Sequence, residues 1–213
     1  MSWFLFMGIT ASVLTFLEYA LYILAIWGRD FRLRHIDLTV PNRATWFIWS
    51  CVGIITAASY QSVGATDTLW FAVANAVGFV IIFLHSMPWG EGGYRFTDIL
   101  SLTGAAFAGW MWWYYDVPEI ALLSMLIIET FAAIPTILKA WREPSTESRS
   151  AWTASFLACL ANIMALKWDH ETVHALTSFA LKDERFWIAL FPIWILVLVA
   201  AITVPLYLKK RMH

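Results

Sequence analysis

Trp3–Trp27 reads WFLFMGITASVLTFLEYALYILAIW, and in these 25 residues Glu18 is the single charged side chain. A bilayer-crossing helix needs about 20 consecutive, mostly apolar residues. In the hydrocarbon there is no water to pair with backbone amides, so such a stretch must close its hydrogen bonds internally as a helix. No basic segment precedes it and Glu18 interrupts it, which reads as a retained helix rather than a cleaved signal peptide. A charged group near mid-bilayer costs about 2.5–3.5 kcal/mol on insertion scales. Glu18 is therefore expected to face the interior of a bundle or to carry a proton.

Working outward, six more segments read the same way: residues 44–62, 68–87, 97–115, 118–138, 150–167 and 186–208. The expectation is an all-α integral membrane protein with seven transmembrane helices and short loops. A turn of a few residues around Asp116, Val117 and Pro118 makes spans 4 and 5 an antiparallel pair. A β-barrel would show short alternating segments instead. Composition agrees: of 213 residues 61% are hydrophobic and 14% charged, with net charge -1 and mean hydropathy +0.67. Soluble chains run at about 45–50% apolar and about 25% charged. These values exclude an ordinary soluble enzyme, a disordered chain and, with no basic domain, a nucleic-acid binder. Cys51 and Cys159 both sit in apolar segments, which argues against a disulfide framework.

Fourteen tryptophans fall mostly at or near the expected helix ends: Trp3, Trp27, Trp46, Trp70, Trp89, Trp112, Trp113, Trp141, Trp168 and Trp187. That is the pattern of interfacial aromatic belts, with a few deeper ones left to line a pocket. With the N-terminus outside, the inner loops and tail collect Arg29, Arg32, Arg34, Arg43, Arg95, Lys139, Arg142, Arg149, Lys209, Lys210 and Arg211. The outer side holds Lys167, Lys182 and Arg185. A split of 11 against 3 orients the N-terminus out and the C-terminus in. The expected location is a bacterial or archaeal cytoplasmic membrane. In the longest outer loop His170, Glu171 and His174 read as a solvated amphipathic cap; two histidines at i and i+4 without further ligands are a weak metal signal.

The two halves share landmarks in the same order. Phe16-Leu17-Glu18-Tyr19-Ala20 answers Ile127-Ile128-Glu129-Thr130-Phe131, each glutamate about ten residues before a basic loop that starts at Arg29 or Lys139. Asn42-Arg43-Ala44-Thr45-Trp46 answers Ser148-Arg149-Ser150-Ala151-Trp152, and Leu69-Trp70-Phe71 answers Phe186-Trp187-Ile188. Three helices, a linker helix and three helices follow: residues 1–96 form a first triple-helix bundle, 97–117 the linker, 118–213 a second bundle. An odd number of spans plus one linker keeps both halves in the same orientation, so the repeats are parallel. A solute path at a repeat interface is a transporter arrangement.

This layout resembles the superfamily of SWEET sugar transporters, PQ-loop transporters, the KDEL receptor and PnuC vitamin transporters, over nearly the whole chain. The most specific stretch is 129–148, ETFAAIPTILKAWREPSTES. There Pro135 stands where PQ-loop proteins carry the proline of Pro-Gln, and Thr136 where they carry the glutamine. Asn75 resembles the pocket asparagine of SWEET-like transporters; the matching region around Pro192 has none. Spans 2 and 6 lack hinge prolines, and span 7 has no lysine before Lys209 for a retinal Schiff base.

The candidate site residues are Glu18, Glu129, Asn75, Asn162 and Tyr60 for substrate, with Glu129, Glu18 and Pro135 for proton coupling or a hinge. Two carboxyls at matching depth suit proton exchange or cation binding; equally, they could pair with tyrosines and hold the bundle together. Each asparagine could bind solute hydroxyls or amides, or pin helices by hydrogen bonds of about 1 kcal/mol. His85 and Ser124 are weaker candidates. Pro135 frees a carbonyl near residue 131 and suggests a kink or hinge. No metal, cofactor or nucleic acid is expected. The expected partners are the lipid bilayer and a small-molecule ligand, with homo-oligomerisation open. A small-solute transporter, proton-linked in one version, is the leading expectation. A membrane receptor or cargo-binding protein and an accessory subunit of a membrane complex are the alternatives. No nucleophile-base set points to an enzyme.

Overall fold

The helix starts are written in the residues that precede them. Ser2 accepts from Leu5 N at 3.2 Å and opens α1 (Trp3–Trp27). Asn42 Oδ1 accepts from Thr45 N at 3.0 Å and opens α2 (Arg43–Ser62). Ser148 accepts from Ala151 N at 3.3 Å and opens α6 (Arg149–Met164). Asp169 accepts from Thr172 N at 2.8 Å and opens α7 (His170–Thr177). Each side-chain oxygen satisfies an otherwise orphaned N–H of the first turn. The remaining helices are α3 (Leu69–Trp89), α4 (Phe96–Tyr115), α5 (Pro118–Arg142) and α8 (Glu184–Leu208). Before α4, Gly92 takes φ +75°, a left-handed turn that a side chain would strain. Asp98 Oδ2 closes that turn by accepting from Gly93 N at 2.7 Å and Arg95 N at 3.1 Å.

The computed structural model describes residues 2–28, 38–62, 69–115 and 118–208. Arg29, Arg32, Arg34, Asp116, Val117 and the tail residues Lys209, Lys210 and Arg211 lie outside them. Among the described residues the fold is all helix, the single extended pairing being an isolated bridge between Asn42 and Glu91. Among the described residues four helices are long and apolar enough to cross a membrane: α1, α3 over Trp70–Trp89, α5 over Leu123–Arg142 and α8 over Arg185–Leu208.

Two boundaries differ from the sequence reading. α5 continues through Pro135 to Arg142 instead of ending at residue 138. Lys139, counted as loop charge, is thereby a buried helix residue at 7% exposure. α6 ends at Met164 rather than 167, and the chain turns into α7, the amphipathic cap expected from His170 and His174.

The packing pairs the helices in a regular way. α3 packs on both α1 and α2; α8 packs on both α5 and α6. Across the middle α1 meets α6, and α2 meets α5, while α4 lies on α5. Exchanging α1 with α5, α2 with α6 and α3 with α8 turns the adjacencies among these six helices into themselves, while α4, on α5 and α2, stands outside the exchange. Small side chains let the backbones approach: Ala11, Ala25, Ala74, Ala132, Ala133 and Ala158 are almost wholly buried. Close approach through small residues is how helices associate where lipid is as apolar as leucine. At Gly78 of α3 an added Cβ would overlap the Tyr19 ring of α1. On α4, Gly104 faces the Phe131 ring of α5, and Gly109 has open space beside it.

Candidate functional site

Between the helices lies a cavity of about 530 Å³ lined from α1, α2, α3, α5, α6 and α8. Glu18, Glu129, Asn75 and Asn162 all line it, four polar residues from four helices. Tyr60 lies at the end of α2, outside the residues whose side chains are described. Pro135 and His85 are not among the lining residues. His85 instead bonds Ile81 O at 2.8 Å and stacks on Trp89.

The lining of α2 and α6 keeps one register. Trp49, Gly53 and Thr56 line it from α2, and Ser155, Cys159 and Asn162 from α6. These stand at equal distances from Arg43 and Arg149, about 9, 15 and 20 Å up each helix axis at 1.5 Å per residue. The carboxyls cross over between the halves. Glu18 on α1 interacts with the Ser155 hydroxyl on α6, and Glu129 on α5 with the Trp49 indole on α2. The Trp49 contact is not a closed hydrogen bond, since its Nε1 is buried without a fully formed partner. Both carboxyls, the Cys159 thiol and Tyr19 line the one cavity. Each is 6% exposed. Among the described lining residues there is no lysine, arginine or histidine.

The two asparagines differ. Asn75 is used by the protein: Tyr19 Oη donates to its Oδ1 at 2.8 Å, and its Nδ2 donates to Phe71 O at 2.9 Å. The Asn162 side chain has no hydrogen bond to a described residue and is available to an occupant.

The end of the bundle that carries Arg43 and Arg149 is sealed. An aromatic layer forms the floor: Trp49 packs on Phe79 at 5.6 Å and on Trp46 at 5.1 Å, and Tyr22 packs on Trp46 at 4.9 Å and edge-on to Trp152 at 6.1 Å. Beneath it Glu147 is fully buried. It accepts from Trp152 Nε1 at 2.7 Å, Tyr22 Oη at 3.2 Å and Thr39 Oγ1 at 3.2 Å. Lys139 Nζ lies 2.5 Å from Glu147 Oε1 and 3.7 Å from Glu91, and also donates to Val40 O. Thr136 of α5 donates to Thr45 of α2 at 3.1 Å at the same end.

The belt reading of the tryptophans is divided by position. Trp3, Trp70 and Trp113 are 53%, 65% and 77% exposed. Trp46 and Trp187, placed with them by sequence, are buried: Trp46 belongs to the floor and Trp187 to the cavity wall. Sequence reasoning missed Trp49, Ser155 and Glu147. For the first pair a signal existed, since each lies one turn beyond a repeat landmark, Trp46 or Trp152, and so on the same helix face. Glu147 carried none, standing in a polar run where an acid is ordinarily solvated. Among the described residues no three His, Cys, Asp or Glu side chains group as metal ligands, and the two cysteines are free.

The chain matches no protein-family model, no curated protein and no solved structure.

Proposed function

We propose that this chain is a seven-span membrane transporter of a small solute, built as two parallel triple-helix bundles joined by α4, with the solute site in the cavity between them. The observation that carries it is the cavity itself: two buried carboxyls and a free amide converge on it from the helices that the exchange relates. A site of this volume lies in the ordinary range for small ligands, about 300–1,000 Å³. The exchange symmetry of the packing supports the repeat, and with it the resemblance to the SWEET, PQ-loop and KDEL-receptor superfamily. α2, α4 and α6 complete the seven spans: α2 and α6 turn much of their surface to the bundle interior and so carry fewer apolar residues, while α4 exposes Phe107, Trp110 and Trp113. The charge split places the sealed, basic end in the cytoplasm, so the cavity belongs to the outer half. Glu18 and Glu129 are the groups through which proton movement is coupled to solute.

Reconstituted vesicles with an internal pH-sensitive dye and radiolabelled candidate solutes test the reading. Uptake by the wild type and its loss in Glu129→Gln are expected. Uptake that is the same in Glu129→Gln, or absent for every solute the protein binds, overturns it. A second reading, a ligand-binding receptor on the same plan, is favoured by the lack of proline in α2 and α6, and binding without flux selects it.

A further inference from the structure

We infer that the cavity takes an organic cation, an ammonium head held between Glu18 and Glu129 with an apolar body against the aromatic wall. This rests on the cavity being a ligand site and is independent of whether the ligand is carried across. Charge comes first. Two carboxyls, each more than nine-tenths buried, line the cavity, and no cationic side chain among the described lining residues offsets them. A buried carboxylate without a partner is costly, and the sealed end shows what this protein does where it means to settle one: Lys139 and three donors surround Glu147. In the cavity the corresponding place for a cation is open space. An anionic solute would be repelled whenever either carboxyl is ionised.

The walls then choose among cations. Trp49, Phe71, Phe79, Trp187 and Phe191 face the space. Aromatic faces attract ammonium groups through their quadrupoles, by about 0.5–2 kcal/mol. A bare metal ion needs about six or more oxygen ligands, and among the described residues no three His, Cys, Asp or Glu side chains group to hold one. A polyhydroxylated neutral solute would leave most of its hydroxyls unpaired against these rings. The few free polar groups suit one head and one additional contact. Thr15 Oγ1 is buried without a partner, and the Asn162 amide stands about 10 Å farther along α6 than Ser155, seven residues at 1.5 Å each. A single positive charge neutralises one carboxylate and leaves the other to hold a proton or to receive a second cationic group.

The test uses the full chain in lipid nanodiscs, with isothermal titration calorimetry against empty nanodiscs. Three probes share one body: 2-phenylethylamine, 2-phenylethanol and phenylacetate. The amine is expected to bind roughly tenfold tighter than the alcohol or better, and phenylacetate not at all. Glu129→Gln and Glu18→Gln are expected to weaken the amine by roughly tenfold while leaving the alcohol unchanged. An alcohol that binds as tightly as the amine, measurable phenylacetate binding, or no amine binding at millimolar concentration overturns the inference; these comparisons on the wild type hold even where a variant fails to fold. Amine binding without vesicle uptake removes the transport reading and leaves this one standing. Uptake of some other solute by a protein that does not bind the amine does the reverse.

Discussion

Glu147 and the pair Glu18 and Glu129 are all buried carboxyls, yet they live in opposite surroundings. Glu147 sits at the sealed end with Lys139, Tyr22, Thr39 and Trp152 directed onto it. Glu18 and Glu129 each have one neighbouring donor, Ser155 or Trp49, and otherwise face a cavity. A satisfied buried charge holds elements together, whereas a carboxyl with few partners contributes little to holding them. The asparagines repeat the contrast at smaller scale, Asn75 bonded on both sides and Asn162 free.

Five substitutions separate the two kinds of group, taken from the largest effect down. Lys139→Met leaves Glu147 buried without its cation, and breaking such a pair costs about 3–5 kcal/mol; denaturant unfolding in detergent is expected to register that loss. A stability equal to wild type would mean that the sealed end is not held by this pair. Asn75→Ala strips the Tyr19 hydroxyl of its acceptor and is expected to lower stability by about 1–3 kcal/mol. Asn162→Ala is its counterpart: an unchanged melting temperature with weakened amine binding in calorimetry. Equal thermal effects of the two would erase the distinction between them. Glu18→Gln and Glu129→Gln are expected to leave the melting temperature unchanged or raised, because they remove a carboxyl that the fold does not satisfy.

The smallest effect lies outside the bundle. Hydrogen bonds from Thr172, backbone first, hold the Asp169 carboxyl below the usual carboxylate range. A depressed value means the ionised form is favoured in the fold. The contribution to α7 is therefore complete above the ordinary carboxylate pKa and is lost as pH falls through the lower folded value. Hydrogen exchange at the α7 amides should quicken in Asp169→Ala at neutral pH, beyond the intrinsic dependence. It should quicken in the wild type only under strongly acidic conditions. Identical exchange in variant and wild type at neutral pH would remove the cap from the account.

Much of this was legible in the sequence because the signals were local. Unbroken apolar runs gave the long helices, and the paired stretches starting at Asn42 and Ser148 turned out to be helix caps followed by the two floor tryptophans. Glu18 and Glu129 stood out because a charge in an apolar run has few innocent explanations. Contacts between distant segments were not legible. Nothing near Lys139 announces that Glu147, eight residues on, folds back onto it. Nor does anything near Trp46 announce that Tyr22 and Trp152 will cover it, so an end-of-helix tryptophan read as an interfacial one. Pro135 suggested a kink or hinge, and α5 carries it inside a helix that runs on to Arg142.

The crossing of partners between the halves has a consequence for how the chain is made. Glu18 belongs to α1, and its neighbour Ser155 is synthesised 137 residues later. At about 5–20 residues per second, roughly ten seconds of synthesis separate the two. During that interval α1 waits for α6 with its carboxyl lacking the Ser155 hydroxyl. Biogenesis of this protein thus depends on tolerating early the same unpartnered acid that the finished cavity keeps.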